Sequence, residues 1–180
     1  MRVTNFKSFQ ETTAREWQLI GKAHRKERKH LVNRIVQQLK LLEDTDGGFP
    51  VTILEHCLQT ATRAYRAGED DEYIAVALLH DIGDAVSPEN HGEVVAAMLK
   101  PYISEANYFL LKNHTDFQGY YYYHYIGKDR NARDQYTDSP HYEHTEKFCR
   151  LYDSQSFDAT YKSEPLEFFI PYIEKLLSKN

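Results

Sequence analysis

Three residues of this 180-residue sequence have the types and spacing to meet at one divalent metal ion: His56 and the adjacent pair His80-Asp81. Imidazole nitrogen and carboxylate oxygen are the hard-to-intermediate donors that zinc, iron, manganese and their neighbours accept. Asp81 follows the apolar run Ile74 to Leu79, where a carboxylate is costly to bury unless something compensates its charge. A divalent metal compensates a carboxylate and a neutral imidazole together. Adjacent residues on a helix point about 100° apart, so His80 and Asp81 converge only near a helix end, where the geometry relaxes. Gly83 is expected to supply that end.

The elements around the pair must bring His56 to it. Thr52 and Glu55 have capping-box spacing and open a helix expected to reach Ala67 and stop at Gly68. Acids at Asp70, Asp71 and Glu72 mark the first turn of the next helix, which carries His80-Asp81. The short connection makes the two helices antiparallel neighbours, so together they deliver three ligands to one point. Upstream, Ala14 to Ala23 and Leu31 to Leu42 are helical in period and are broken by Gly47-Gly48-Phe49-Pro50. Downstream, Ser87-Pro88 predicts a helix to Leu99, Ser104 caps one reaching His114, and Ser139-Pro140 opens one through Cys149 to about Asp153. A last helix is expected from Pro165 to Leu177, and the tyrosine-rich stretch between Gly119 and Gly127 has no clear period. The fold class is all-α: one domain over 1–180, with 1–43 as an added N-terminal helical layer and 50–175 as the metal-binding core.

Composition narrows the partners. The formal net charge is −5, which favours neither a nucleic-acid backbone nor an anionic membrane surface. The basic run Arg25 to His30 sits in an amphipathic pattern and reads as a solvated helix face. The first residues, Met1 to Phe9, lack the apolar core of a signal peptide, and no apolar stretch is long enough to span a bilayer. Cys57 and Cys149 lack metal-type spacing and read as buried free thiols, so the expected compartment is the reducing cytoplasm. Oligomeric state leaves no trace in the sequence.

The order His56, then His80-Asp81, then a later aspartate resembles the HD superfamily, whose members include metal-dependent phosphohydrolases. The resemblance covers about residues 50–175. It implies Asp153, after the apolar Phe148 to Tyr152, as the last ligand, with Asp158 as rival. It also implies roles for His91, in Asn90-His91-Gly92-Glu93, and His114, in Leu111-Lys112-Asn113-His114. These match the subset that holds two metals, with Asp81 bridging, His56, His80 and Asp153 on one metal, and His91 and His114 on the other. Within that subset the strings Leu54-Glu55-His56-Cys57-Leu58-Gln59 and Ala77 to Gly83 are similar to mixed-valence diiron oxygenases, among them myo-inositol oxygenase and the phosphonate-cleaving enzymes. Such a likeness implies two iron ions, with manganese or another divalent metal as alternatives, and a small hydroxylated substrate with dioxygen as partners.

The sequence departs from the phosphonate-cleaving pattern where that pattern reads its substrate. A histidine three residues after the pair's aspartate is Asp84 here, a Lys-Arg pair after the fourth histidine is replaced by Phe117-Gln118-Gly119-Tyr120, and an upstream tyrosine and glutamate correspond to Asp46 and Phe49. Asp84 beside the metals would repel a phosphonate and favour a cationic or polyhydroxyl substrate, or would simply hydrogen-bond at a helix end. Arg63, two turns beyond His56, could meet an anionic substrate group or form an outward salt bridge. Gln59 and Glu55 could orient the imidazoles or lie on the helix surface. The Tyr120–Tyr125 cluster could wall a pocket for a cation or sugar, or pack against the core. His124, His141 and His144 read as surface residues.

Three function classes follow: a diiron oxygenase, a metal-dependent phosphohydrolase of nucleotides or small phosphate esters, and a non-catalytic regulatory module. Basic residues near the metals would mark the phosphohydrolase, and Arg63, Lys112 and Arg133 are the candidates.

Overall fold

A computed structural model describes residues 4–178, and within them the regular structure is helical throughout. The helices are α1 (Ala14–Glu27), α2 (Leu31–Lys40), α3 (Ile53–Arg66), α4 (Asp71–Leu79), α5 (His91–Leu99), α6 (Glu105–Tyr122), α7 (Tyr142–Phe148) and α8 (Leu166–Leu177). Residues 1–3 of the expected N-terminal layer and residues 179–180 lie outside the described range. None of the described helices is long and apolar enough to cross a membrane.

Local chemistry sets most helix starts. Thr52 accepts from the Glu55 amide while the Glu55 carboxylate accepts from the Thr52 amide, so both residues satisfy otherwise orphaned donors. Thr13 and Glu16 do the same for α1, and Asp70 and Ser104 cap α4 and α6. Gly68 follows α3 at φ 77°, a left-handed position that suits glycine and turns the chain into α4.

Helix α4 is apolar on every side, so it can only be stable in the centre of the molecule. Tyr73 to Leu79 are all buried, with α3, α6 and α8 packed around them. Helices α5 and α6 form a second antiparallel pair, and α7 lies against α6. Large fully buried side chains from several helices, Leu78, Leu79, Phe117, Phe148 and Phe169, join these pairs into one core. Helix α2 adds Ile35, Val36 and Leu39 to that core, whereas α1 buries no residue.

Three local details differ from the sequence expectations. The α-helix expected at Ser87-Pro88 begins at His91, after a 3-10 turn over Pro88–Asn90, because Ser87 spends its hydroxyl on the Asn90 side chain rather than on a backbone amide. Helix α6 does not end at His114; it continues to Tyr122 and takes in the first of the tyrosines. The chain then forms a 3-10 turn over Tyr123–Ile126 and closes at Gly127, φ 72°. Helix α7 gives way to a wide π-turn over Cys149–Asp153.

Candidate metal centre

Four histidines and two aspartates converge where α3, α4, α5, α6 and the π-turn meet. His56 stands one turn into α3, and His80 is the residue that ends α4. Asp81 follows at φ −104° and ψ 9°, outside the helical region, and this bend lets its side chain turn to the same side as His80. Gly83 has a different job from the expected helix stop. It lies in a 3-10 turn with no positive φ, and a Cβ there would stand 2.4 Å from the His91 carbonyl oxygen. Glycine is required because the start of α5, with His91, passes directly over it.

The distances divide Asp81 between two histidine pairs. Its Oδ2 lies 3.4 Å from His56 Nε2 and 3.2 Å from His80 Nε2. Its Oδ1 lies 3.3 Å from His91 Nε2 and 3.2 Å from His114 Nε2. Two ligand groups that share Asp81 result: His56, His80 and Asp81, and Asp81, His91 and His114. Asp153, fully buried, sets Oδ1 3.2 Å from His56 Nε2 and 3.8 Å from His80 Nε2, on the first group's side. Asp158, its rival, is exposed and uses its carboxylate to cap Thr160.

The hydrogen bonds of the imidazoles determine what the cluster can hold. Every Nδ1 faces a backbone carbonyl: His80 that of Ala77 at 2.9 Å, His91 that of Pro88 at 2.9 Å, His114 that of Leu111 at 2.8 Å and His56 that of Ser156 at 3.0 Å. Carbonyls only accept, so each Nδ1 carries a proton, and a ring that is neutral turns an Nε2 lone pair inward. His56 Nε2 and His80 Nε2 then sit 3.1 Å apart, and His91 Nε2 and His114 Nε2 3.2 Å apart. Asp153 Oδ1 adds a buried acceptor with no hydrogen-bond donor. Converging lone pairs and carboxylate oxygens need positive charge between them, and two divalent ions fit this donor set.

Without metal ions, protons can supply part of that positive charge. Burial disfavours the charged form of His80, yet Asp81 and Asp153 outweigh it and hold the pKa well above the ordinary imidazole value. Burial likewise opposes ionisation of Asp81 and Asp153, and the surrounding histidines outweigh it, keeping both below the usual carboxylate range. His91 is held at about 9: burial pulls it down, and a contact from Asp84 Oδ1 to Nδ1 at 3.0 Å, with the charge of Asp81, pushes it up.

The remaining sequence candidates take positioning or structural roles. Asp84 Oδ1 contacts the His91 ring at Nδ1. Gln59 is buried and clamps the Asp158 backbone, donating to its carbonyl at 2.9 Å and accepting from its amide at 3.3 Å. That clamp holds residues 154–158 over α3, where Ser156 reaches His56 and Phe157 stacks on the His56 ring at 4.4 Å. Arg63 lays its guanidinium over Tyr161 at 4.0 Å, and Glu55 is spent on the α3 cap. Arg133 lies over Tyr120 at 3.7 Å. His144 is half-buried, not superficial, and bonds Asn107 at 2.8 Å. Both cysteines are buried free thiols, as expected.

Sequence reasoning missed Ser156, Phe157 and the role of Gln118, while Tyr122 belongs to the tyrosine cluster read as a possible pocket wall. Gln118 donates to Asp153 Oδ2 at 2.5 Å and so turns Oδ1 toward the imidazoles. Tyr122 sits where two cavities meet. One, of about 370 Å³, is lined by Phe49, Gln118, Tyr121, Tyr122, Ser154 and Phe157. The other, of about 660 Å³, reaches His91 and carries Glu89, Glu93, Lys112, Asp116 and Lys128. Burial and the neighbouring Tyr123, Asp153 and Asp81 push the Tyr122 hydroxyl up to about 12, so it stays a hydrogen-bond donor at neutral pH.

Comparison with known proteins agrees with this geometry. Residues 53–120, which contain His56, His80, Asp81, His91 and His114, match the model of the HD domain. A segment of 40 residues is 55% identical to [1-hydroxy-2-(trimethylamino)ethyl]phosphonate dioxygenase (glycine-betaine-forming) of Leisingera caerulea. That segment is 22% of this chain and only 20% of the relative's length. The segment similar to the HD domain carries five of the six converging residues, and Asp153 joins the cluster from beyond the matched segment.

Proposed function

We propose that this protein is an HD-domain enzyme with a dinuclear metal centre, and that it is an iron-dependent oxygenase of a small hydroxylated organic molecule. The observation that carries the reading is the division of Asp81 between two histidine pairs, Oδ2 toward one and Oδ1 toward the other at 3.2–3.4 Å. A carboxylate can bridge two cations in this way. His56, His80 and Asp153 would complete one site, and His91 and His114 the other. An iron pair, when bound, supplies dioxygen activation.

The chain's own residues would do the rest. Gln118 fixes the Asp153 rotamer, Asp84 and the Pro88 carbonyl fix His91, and the Ser156 carbonyl fixes His56. Phe157 covers the His56 ring and keeps water from that side. The Tyr122 hydroxyl can donate to a substrate oxygen from the junction of the two cavities.

Hydrolysis of a phosphate ester is the second reading, favoured by Lys112 and Lys128 on the larger cavity. Glu89, Glu93 and Asp116 on the same cavity outnumber those lysines, so a phosphate would meet net negative charge there. The experiment is anaerobic purification, metal analysis, and low-temperature EPR after partial reduction. Two irons per chain and a mixed-valence signal that shifts on adding a hydroxylated substrate are expected. A single manganese or magnesium ion with oxygen-independent turnover of phosphate esters would reverse the choice.

A further inference from the structure

Among the described α-helices, α1 alone buries no residue. Leu19, Ile20 and Ala23 are half-buried and mark its inner side, while Arg15, Trp17, Lys22 and Arg25 stand exposed. Ahead of the helix three rings meet at the surface: Phe9 has Phe6 at 6.2 Å and Trp17 at 5.9 Å. Phe9 is 75% exposed and Trp17 49%, although Trp17 Nε1 is held by the Thr12 hydroxyl at 3.0 Å. Large rings gathered in water cost free energy until a partner covers them, so such a patch marks an interaction surface.

The net charge of −5 conceals the sign of this segment, because residues 7–29 hold seven lysines and arginines against three acids. All three acids are spent. Glu11 accepts from the Lys7 amide at 3.1 Å, Glu16 from the Thr13 amide at 3.0 Å, and Glu27 pairs with Arg34 at 2.8 Å. Among the described residues, no carboxylate forms an ion pair with any of the seven cations. Lys22 stands two turns beyond Arg15 and Arg25 one turn beyond Lys22, so the three share a face of α1. Arg25 then joins Arg28 and Lys29 around a hollow of about 450 Å³ beside the end of α8, with Glu174 as the one acid among its lining residues.

We propose that this surface docks on an anionic lipid bilayer, with Phe9 and Trp17 in the interface and the cations of α1 and the turn after it on the headgroups. A basic run alone is a solvated face; exposed rings beside unpaired cations supply the two signals that attachment to a bilayer surface takes. The contact lies on the surface, since no described helix is long and apolar enough to cross a membrane. The acidic remainder of the chain, which a polyanion would repel, is carried behind α1. A nucleic acid fits less well: single strands lie in basic grooves with rings interleaved as stacking platforms, whereas here the rings stand together and most of the cations follow them along the chain.

Trp17 is the single tryptophan of the chain, so its own fluorescence reports the contact. The test titrates the whole chain with vesicles of pure phosphatidylcholine and with vesicles carrying one-third phosphatidylserine. On the anionic vesicles the Trp17 emission should shift to the blue and be quenched by brominated acyl chains. Raising the salt from about 50 mM to about 500 mM should release the protein, and neither effect should occur on phosphatidylcholine. Arg25→Gln combined with Lys29→Gln, both at exposed positions, should weaken binding about 25-fold, about fivefold for each charge, at an unchanged melting temperature. Phe9→Ser should weaken the quenching and leave the association sensitive to salt. No blue shift on the anionic vesicles, or equal binding to both kinds, would overturn the proposal. A shift that appears on raising the protein concentration alone would overturn it in favour of a second copy of the chain. Tighter binding of a single-stranded oligonucleotide than of the anionic vesicles would overturn it in favour of nucleic acid.

Discussion

Replacing Asp81 by asparagine tests the two-metal arrangement most directly. The substitution keeps the shape of the side chain and removes one ligand oxygen. In the native geometry each carboxylate oxygen lies 3.2–3.4 Å from the Nε2 atoms of its own histidine pair. The amide has one acceptor oxygen and one NH2 group, and the NH2 group cannot ligate a cation. With the NH2 group toward His91 and His114, that site keeps only two imidazoles; with it toward His56 and His80, that site keeps two imidazoles and Asp153. A metal present at a hundred times its dissociation constant stabilises the folded state by about 2.7 kcal/mol per site. For a chain of this size about 1 kcal/mol moves the melting temperature by roughly 2–4 °C. Losing one site should then remove about 5–10 °C of the rise that metal produces. The assay is paired: thermal denaturation with and without added metal, and metal content by mass spectrometry, for both proteins. The readout is the metal-dependent increment, since the metal-free baseline also changes when a buried charge is removed. An Asp81→Asn protein that retains two metals per chain with the native increment would refute the bridging role.

Two further outcomes follow from the packing and the charges. Gly92→Ala places a Cβ 2.7 Å from the Leu111 carbonyl oxygen, which accepts from His114 Nδ1, and 3.2 Å from the His114 ring; overpacking of about 1–3 kcal/mol should exceed the helix gain of about 1 kcal/mol, lowering the melting temperature and releasing the metal held by His91 and His114 before the other. Glu69 accepts from Tyr152 and pairs with Lys147 at 2.5 Å, and although burial opposes it these partners hold its carboxyl below the ordinary value of 4.5; the folded state binds fewer protons, so the stabilisation is complete above that value and is lost as pH falls through the folded pKa. Glu69→Gln should therefore melt lower than the native protein at pH 7, with the gap closing in acid; a constant gap across pH would remove the charge from the account.

The sequence by itself determined most of the elements and, with the HD resemblance, the candidate residues of the centre. Capping residues at Thr52, Asp70 and Ser104 and the glycine at Gly68 act within one or two turns, so they are legible locally. An α4 that is apolar on every side, ending in His80-Asp81, had to lie in the interior and had to have its charge compensated. Even the ring orientation of His80, His91 and His114 is local, since each Nδ1 meets a carbonyl three residues earlier. Only the tertiary structure decided the rest. His56 finds its partner at Ser156, a hundred residues away, and Gln59 holds that segment through Asp158. The π-turn over Cys149–Asp153 brings both Tyr152 and Asp153 inward, so that Asp153, which the resemblance implied, reaches the cluster while Asp158 stays exposed. Gly83 and Gly92 look like ordinary helix punctuation; their purpose is the close passage of His91 over one and of the Leu111 carbonyl and His114 ring beside the other. The aromatic cavity gathers Phe49, Tyr121, Tyr122 and Phe157 from three distant segments. Distance in sequence is the physical reason: caps and periods act between near neighbours, whereas a substrate's surroundings exist only after the helices have packed.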